Sequence, residues 1–288
     1  MERRREKVSL AVAASAEPMG AASCAAISAT ALDRALVAEA ELVVRPLEGN
    51  AILLGAFQRR GDVETDLPVY RRGSGGHAVS ATDGVLFVHL ALAHPAVLFD
   101  ADAERLLNRH VRPILAALTK TVAPARYFGR DWIAMEHRPV AFVGFAHDAT
   151  TQRASVDVFI AVSKLYVAAE RSSFRGKAPI TLDTVKNVAV TTIVDAIVAA
   201  FGAHAPTTLD LPPAHPLSEE PPWSVHHEDA IGTVAAGRDA EGHLRVGGEI
   251  MASRDAVARL DFVREGTVLF GVRRETLAEV VAAASALP

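Results

Sequence analysis

Arg71-Arg72-Gly73-Ser74-Gly75-Gly76-His77-Ala78-Val79 joins two apolar segments, Leu67 to Arg72 on its N-terminal side and Val85 to Leu92 beyond Gly84. The first reads as a strand running into the loop, and the second, apolar at nearly every position, as a buried strand. Glycines at such a junction let backbone N–H groups approach an anion or an acyl chain closely, and paired arginines can neutralise a phosphate or a carboxylate. By itself a glycine-rich turn flanked by arginine is commonplace. The surrounding chain decides what it means.

Upstream, Ile27 to Ala40 has apolar residues at helical spacing and is followed by strand readings at Glu41 to Arg45 and at Ala51 to Phe57. Gly55 near the end of the second strand suggests a close backbone approach. Downstream, Ala101 to Leu118 carries a helical period that Pro113 must kink or break. Arg130 to Glu136, Val140 to Ala146 and Ser155 to Ala161 read as three successive strands separated by polar turns, an antiparallel meander. Thr184 to Phe201 reads as an amphipathic helix that stops at Gly202. His204 to Pro222 holds six prolines among nineteen residues, and beyond it lie two short strands, a helix near Asp255 to Val263 and a last helix from Glu275 to Ser285.

The division expected from this pattern is a flexible leader over 1–26, a main domain over 27–203, a proline-rich linker over 204–222 and a small accessory domain over 223–288. The fold class is α+β. With 288 residues, half of them hydrophobic, and a net charge of -4, the chain can bury a large core and has no overall field to draw it to nucleic acid or an anionic membrane. Cys24 is the sole cysteine, which excludes an internal disulfide and a Cys-based zinc site and suits the cytoplasm. The segment Val8 to Ala16 is too short and too Ala/Ser-rich for a signal peptide, and no run long enough to span a membrane occurs.

The loop resembles the lipoate-protein ligase A signature, Arg-Arg-x-Ser-Gly-Gly-Gly-Ala-Val, with His77 in place of the third glycine. Ala51 to Gln58 is similar to that family's strand ending in Gly-x-x-Gln, Gly129-Arg130-Asp131-Trp132-Ile133 to its Gly-Arg-Asn-Asp-Leu, and Val185-Lys186-Asn187-Val188 to the segment closing its large domain. The matches fall in the family's order over roughly residues 27 to 265. The resemblance implies a biotin/lipoate ligase fold, with mixed, largely antiparallel sheets, flanking helices and a small C-terminal accessory domain. It implies ATP with Mg as cofactor, lipoate or another medium-chain carboxylic acid as substrate, and a lipoyl carrier domain as acceptor. It places Arg71, Arg72, Ser74, Gly75, Gly76 and His77 at the substrate, and Gly129, Arg130 and Asp131 at the cofactor.

The chain departs from the family where charge is handled. His137-Arg138-Pro139-Val140 stands where the family carries its catalytic lysine, and no lysine lies between Lys120 and Lys164. Ala81-Thr82-Asp83-Gly84-Val85 keeps only the glycine of the family's His-Asp-x-Gly-Asn. Arg138 is the substitute cation that the sequence offers for catalysis, since a guanidinium grips phosphate bidentately, although a turn arginine beside proline is ordinarily just exposed. Lys164 and Lys177 read as surface lysines unless the strands bring them back, Cys24 as a packing residue, and His226-His227-Glu228-Asp229 as a polar segment rather than a metal site. Three readings stay open, an adenylate-forming ligase or acyltransferase, a non-catalytic binder of acyl groups or lipoyl carriers, and a structural protein in which the pocket is vestigial.

Overall fold

The computed structural model describes residues 8–129, 131–167, 177–202, 204–229, 232–270 and 272–287. Up to the buried strand after the glycine loop, the elements are β1 (Leu10–Ala14), β2 (Met19–Gly20), α1 (Ala21–Thr30), β3 (Ala40–Glu48), β4 (Asn50–Leu54), β5 (Val69–Arg71), β6 (Val79–Thr82) and β7 (Val85–Leu92). There follow α2 (Leu106–His110), α3 (Arg112–Thr121), β8 (Arg126–Tyr127), β9 (Trp132–Met135), β10 (Arg138–His147), β11 (Ala154–Ala161), α4 (Leu182–Val185), α5 (Val190–Phe201) and β12 (Ala205–Pro206). The chain closes with β13 (Val225–Asp229), β14 (Gly232–Arg238), β15 (Leu244–Gly248), β16 (Met251–Ala252), α6 (Arg254–Arg259), β17 (Leu269–Phe270) and α7 (Arg274–Ser285).

β7 is apolar throughout because both its faces are covered. Successive side chains on a strand point to opposite sides. Leu86, Val88, Leu90 and Leu92 enter one core with α3 and α5, whereas Val85 and Phe87 enter a second core beneath α1 and β4. β11 is buried at all eight positions for the same reason. The large sheet runs β12-β1-β3-β7-β11-β10-β9-β8, with β2 beside β3, and its β3-β7-β11-β10-β9-β8 path is antiparallel. A small sheet, β5-β4-β6, carries the two ends of the glycine loop. β13-β14-β15 form an antiparallel sheet packed on α7 around a third core, and β16 pairs with β17.

The α+β reading and the antiparallel meander hold. Other expectations change. Residues 10–26 are built into the fold rather than forming a loose leader. β1 pairs with β3 from Leu10↔Ala40 to Ala14↔Val44, and Leu10, Ala11 and Val12 are buried. Alanine-rich sequence has weak strand preference, and the partner strand overrides it. The first helix starts at Ala21 and ends at Thr30, earlier than Ile27 to Ala40. It ends there because buried Glu41 draws the following segment into a loop, accepting from the Arg34 guanidinium and the Val37 amide. The helical segment divides at Val111 into α2 and α3, with Pro113 in the first turn of α3, so the break expected at Pro113 falls just before it.

The proline-rich stretch is a docked strap, not a free linker. Ala205 and Pro206 pair with β1, Ala214 donates its N–H to the Ala22 carbonyl at 3.0 Å, and Leu217 donates to Val69 at 2.7 Å. Leu209 and Leu211 pack on the second core. Among the described residues, no helix is long and apolar enough to cross a membrane.

Candidate functional site

Arg72 leaves β5 pointing inward and is 1% exposed. Its Nη1 donates to the Leu53 carbonyl at 2.8 Å, Nη2 to the Gly75 and His77 carbonyls at 3.1 and 2.7 Å, and Nε to Ser74 Oγ at 3.0 Å. The guanidinium also lies 4.7 Å from the centre of the Phe142 ring. A guanidinium has five N–H donors, and four contacts here already go to the protein. Burial pulls its pKa down to about 10, which still leaves it a cation near neutrality. Arg72 therefore ties the loop from beneath rather than presenting a fork to a ligand.

Its counter-charge is Asp157 on β11, fully buried. Asp157 accepts from Ser74 Oγ at 2.6 Å and from Ser28 Oγ of α1, and its other oxygen meets His89 Nδ1 at 2.6 Å. Burial alone would raise this carboxyl; the hydrogen bonds from His89, Ser28 and Ser74 hold it below the usual value. Ser28 Oγ accepts the Gly73 N–H as well. The loop thus rests on a buried chain of Arg72, Ser74, Asp157, Ser28 and His89. Sequence reasoning missed Ser28, His89 and Asp157, although a lone polar residue inside an apolar strand, as in Val156-Asp157-Val158, was the available signal.

The glycines answer to close packing. A side chain at Gly55 would meet the Gly76 carbonyl oxygen at 2.0 Å, and one at Gly75 would meet the Ile250 oxygen at 2.3 Å. The Gly75 N–H donates to Phe145 at 2.8 Å and the Gly76 N–H to Ile250 at 2.9 Å. Both amides are spent on the protein, so at these two positions the loop is no anion nest. Gln58 of the Gly-x-x-Gln stretch accepts the Gly55 N–H at 2.8 Å. Arg71 turns the other way, its Nη2 donating to the Gln58 carbonyl at 2.9 Å and to Glu220 of the strap at 2.6 Å.

His77 is the loop residue that meets Asp131. Its ring stands edge-on to Phe142, with centroids 4.5 Å apart, and its Nδ1 lies 3.4 Å from Asp131 Oδ2. Glu249, after β15, lies within electrostatic reach of both. Burial raises its carboxyl despite the pull of His77 and a hydrogen bond from the Thr233 amide. Two phenols lie within electrostatic reach of Asp131, and burial followed by that charge pushes Tyr127 and Tyr166 well above the ordinary tyrosine value. Trp132, next to Asp131, carries Lys177 over its ring, with Nζ 5.7 Å from the centroid.

The structure thus brings together His77 and Asp131 of the expected residues and adds Glu249 and Tyr166, while Trp132, the next residue along the chain from Asp131, holds Lys177 over its ring. Gly129 adopts a left-handed φ of 71° beside Asn108, and Arg130 lies outside the described residues. Arg138 goes elsewhere. It is exposed, with Nε donating to the Ala178 carbonyl at 3.1 Å and Nη2 to the Pro179 carbonyl at 3.3 Å. It thereby anchors the backbone next to Lys177. Cys24 is fully buried, and burial raises its thiol, as befits a packing residue.

No family model and no curated protein matches the chain. Solved structures do. P. falciparum LipL1 in complex with lipoate superposes with a TM-score of 0.57 at 11% identity, covering 96% of this chain and 98% of that one. The bipartite lipoate protein ligase of Thermoplasma acidophilum, described with its E2 lipoyl domain, gives 0.52 at 16% identity over 70% of this chain and 87% of that one. Lipoate-protein ligase A bound with ATP gives 0.52 at 12% identity over 70% and 90%. The chain has the fold of the lipoate-protein ligases.

Proposed function

We propose that this protein binds lipoate, octanoate or a related carboxylic acid beside His77, Asp131 and Trp132, and that Lys177 supplies the cation missing from β10. The observation that carries this is the position of Lys177 over Trp132, one residue from Asp131, with its backbone neighbours held by Arg138. Joining a carboxylate to a phosphate brings like charges together, and a positioned cation lowers that barrier by an amount on the order of several kcal/mol. The likeness of fold to structures that hold lipoate or ATP supports this reading.

MgATP, when bound, supplies the activation that a free carboxylate lacks. Asp131 and Glu249 offer the oxygen donors that a hard cation prefers, and Lys177 the charge that would face a phosphate. The amides of Gly75 and Gly76 are unavailable to it. The acceptor on this reading is a lysine of a lipoyl carrier domain, the class of partner described with the Thermoplasma ligase.

The test is transfer of lipoate to a lipoyl domain with MgATP, read by intact mass. Wild-type protein modifies the domain, and Lys177→Ala lowers the rate by at least about 100-fold, as for loss of a positioned electrostatic donor. Transfer undiminished in Lys177→Ala removes Lys177 from the site. Saturable binding of lipoate without any transfer by the wild type establishes instead the non-catalytic binder.

A further inference from the structure

Residues 105–121 follow one nearly continuous helical path across the Val111 joint, since Arg109 N–H donates to Arg105, Val111 to Leu107 and Leu115 to Val111, each at 3.0 Å. Arg105, Asn108, Arg109, Arg112 and Leu115 therefore form a single stripe at helical spacing. With Tyr127 of β8 they line a concavity of about 360 Å³, and Arg109 and Arg112 also line an adjoining one with Asp100. Three arginines in one stripe repel one another. Their neutralisation is slight. Arg105 Nε lies 3.8 Å from Asp102 with both side chains exposed, and Arg112 Nε donates only to the Asn108 carbonyl of its own turn. Arg109 has no side-chain partner among the described residues, although it is only half exposed. The Tyr127 hydroxyl is buried without a hydrogen-bond partner, whereas buried phenols ordinarily find one. The chain as a whole is acidic, at -4, so this concentration of cations is local.

We propose that this concavity binds a small multivalent oxyanion of the phosphate class, held by Arg109 and Arg112 with Arg105 at its rim and the Tyr127 hydroxyl beneath. Guanidinium groups match phosphate oxygens through parallel N–H donors, and Asn108 adds a neutral donor. The site is distinct from the acid-binding residues, yet it borders their support, because Gly129 lies beside Asn108 and Asp131 acts electrostatically on Tyr127. Occupancy therefore has a direct route to Gly129 and Asp131. This inference does not rest on the ligase reading.

The probe is inorganic phosphate, titrated into the full chain without lipoate or ATP and followed by amide NMR, with acetate as the singly charged control. Saturable shifts at residues 105–112 and at Tyr127, absent with acetate, are expected. Arg109→Glu should weaken phosphate binding at least tenfold and Tyr127→Phe severalfold. Lys120→Glu, an exposed charge reversal on α3 outside the concavity, should leave binding unchanged. Arg109→Gln, a milder change at the half-exposed position, repeats the test if the glutamate variant folds poorly. No saturable shift in this region, or equal weakening by Lys120→Glu, overturns the proposal.

Discussion

Replacing Arg72 with methionine keeps much of the side-chain volume and removes the charge and every donor. Three buried carbonyls, those of Leu53, Gly75 and His77, then lose their partner, and Ser74 loses one contact. Each orphaned acceptor costs about 1–3 kcal/mol before relaxation. Asp157 also loses the cation that balances it inside the core, and breaking one side of a buried ionic group typically costs about 3–5 kcal/mol. Because these contributions overlap, Arg72→Met should lower unfolding stability by about 4 kcal/mol, a large share of the roughly 5–15 kcal/mol of a whole protein. Urea unfolding followed by far-UV circular dichroism measures it. Arg72→Lys keeps the charge without the planar fork and should recover only part of the loss. Adding Asp157→Asn to Arg72→Met should cost less than the sum of the two single changes, since Ser74 couples them. A loss below about 1 kcal/mol, with lipoate affinity abolished, would refute this and make Arg72 a ligand contact.

Gly55→Ala drives a methyl group into the Gly76 backbone, at 2.0 Å from its oxygen, and should destabilise by about 2 kcal/mol or more; a Tm equal to wild type would mean that the glycine loop can move away from the end of β4 freely. His110 is buried on α2, and burial lowers its pKa from 6.5 to about 4. The unfolded chain therefore takes up this proton first, so the His110 contribution is intact above pH 6.5 and falls away as pH drops toward 4, by about 3 kcal/mol. His110→Gln should flatten that part of the stability-pH curve, and an unchanged slope would remove His110 as its cause. Arg254 joins α6 to Asp148 at 2.7 Å and to Asp33 at 2.8 Å. Its side-chain hydrogen bond holds the Asp33 carboxyl below the usual range. At Asp148 burial pushes the other way, and bonds from the Thr150 and Thr151 amides and from Arg254 prevail. Stability from these pairs is present above the ordinary carboxylate pKa, about 3.9, and is lost as pH falls below it. Because Arg254 is partly exposed, Asp33 is exposed and buried Asp148 keeps its bonds from the Thr150 and Thr151 amides, Arg254→Ala should cost about 1 kcal/mol at pH 7 and remove part of the acid sensitivity, as read by the pH dependence of Tm.

Local sequence determined the elements whose information is local. Val85–Leu92 is continuously apolar because both faces are buried, and Val140 to Ala146 and Ser155 to Ala161 are separated by polar turns, so β7, β10 and β11 were legible from pattern alone. The order of the loop, the Gly-x-x-Gln strand and the Gly129-Arg130-Asp131-Trp132-Ile133 stretch pointed to the lipoate ligase fold. The sequence could not assign partners across distance. β1 is a strand because β3 lies beside it, and the prolines of 204–222 form a strap because β1, Ala22 and Val69 receive them.

The same limit governed the candidate site. Arg72 and Arg138 were singled out as ligand and catalyst by residue type. Yet a guanidinium acts on whatever surrounds it, and here that is backbone carbonyl from β4, the loop and the segment before α4. Asp157 and His89, missed in the sequence, are partners only because the register sets them directly opposite each other. Lys177 lies far along the chain from Trp132, and only the return of the chain past Arg138 brings the two together. Propensity and period are written in neighbouring residues, whereas the charge that a buried group meets is decided by packing between segments remote in sequence.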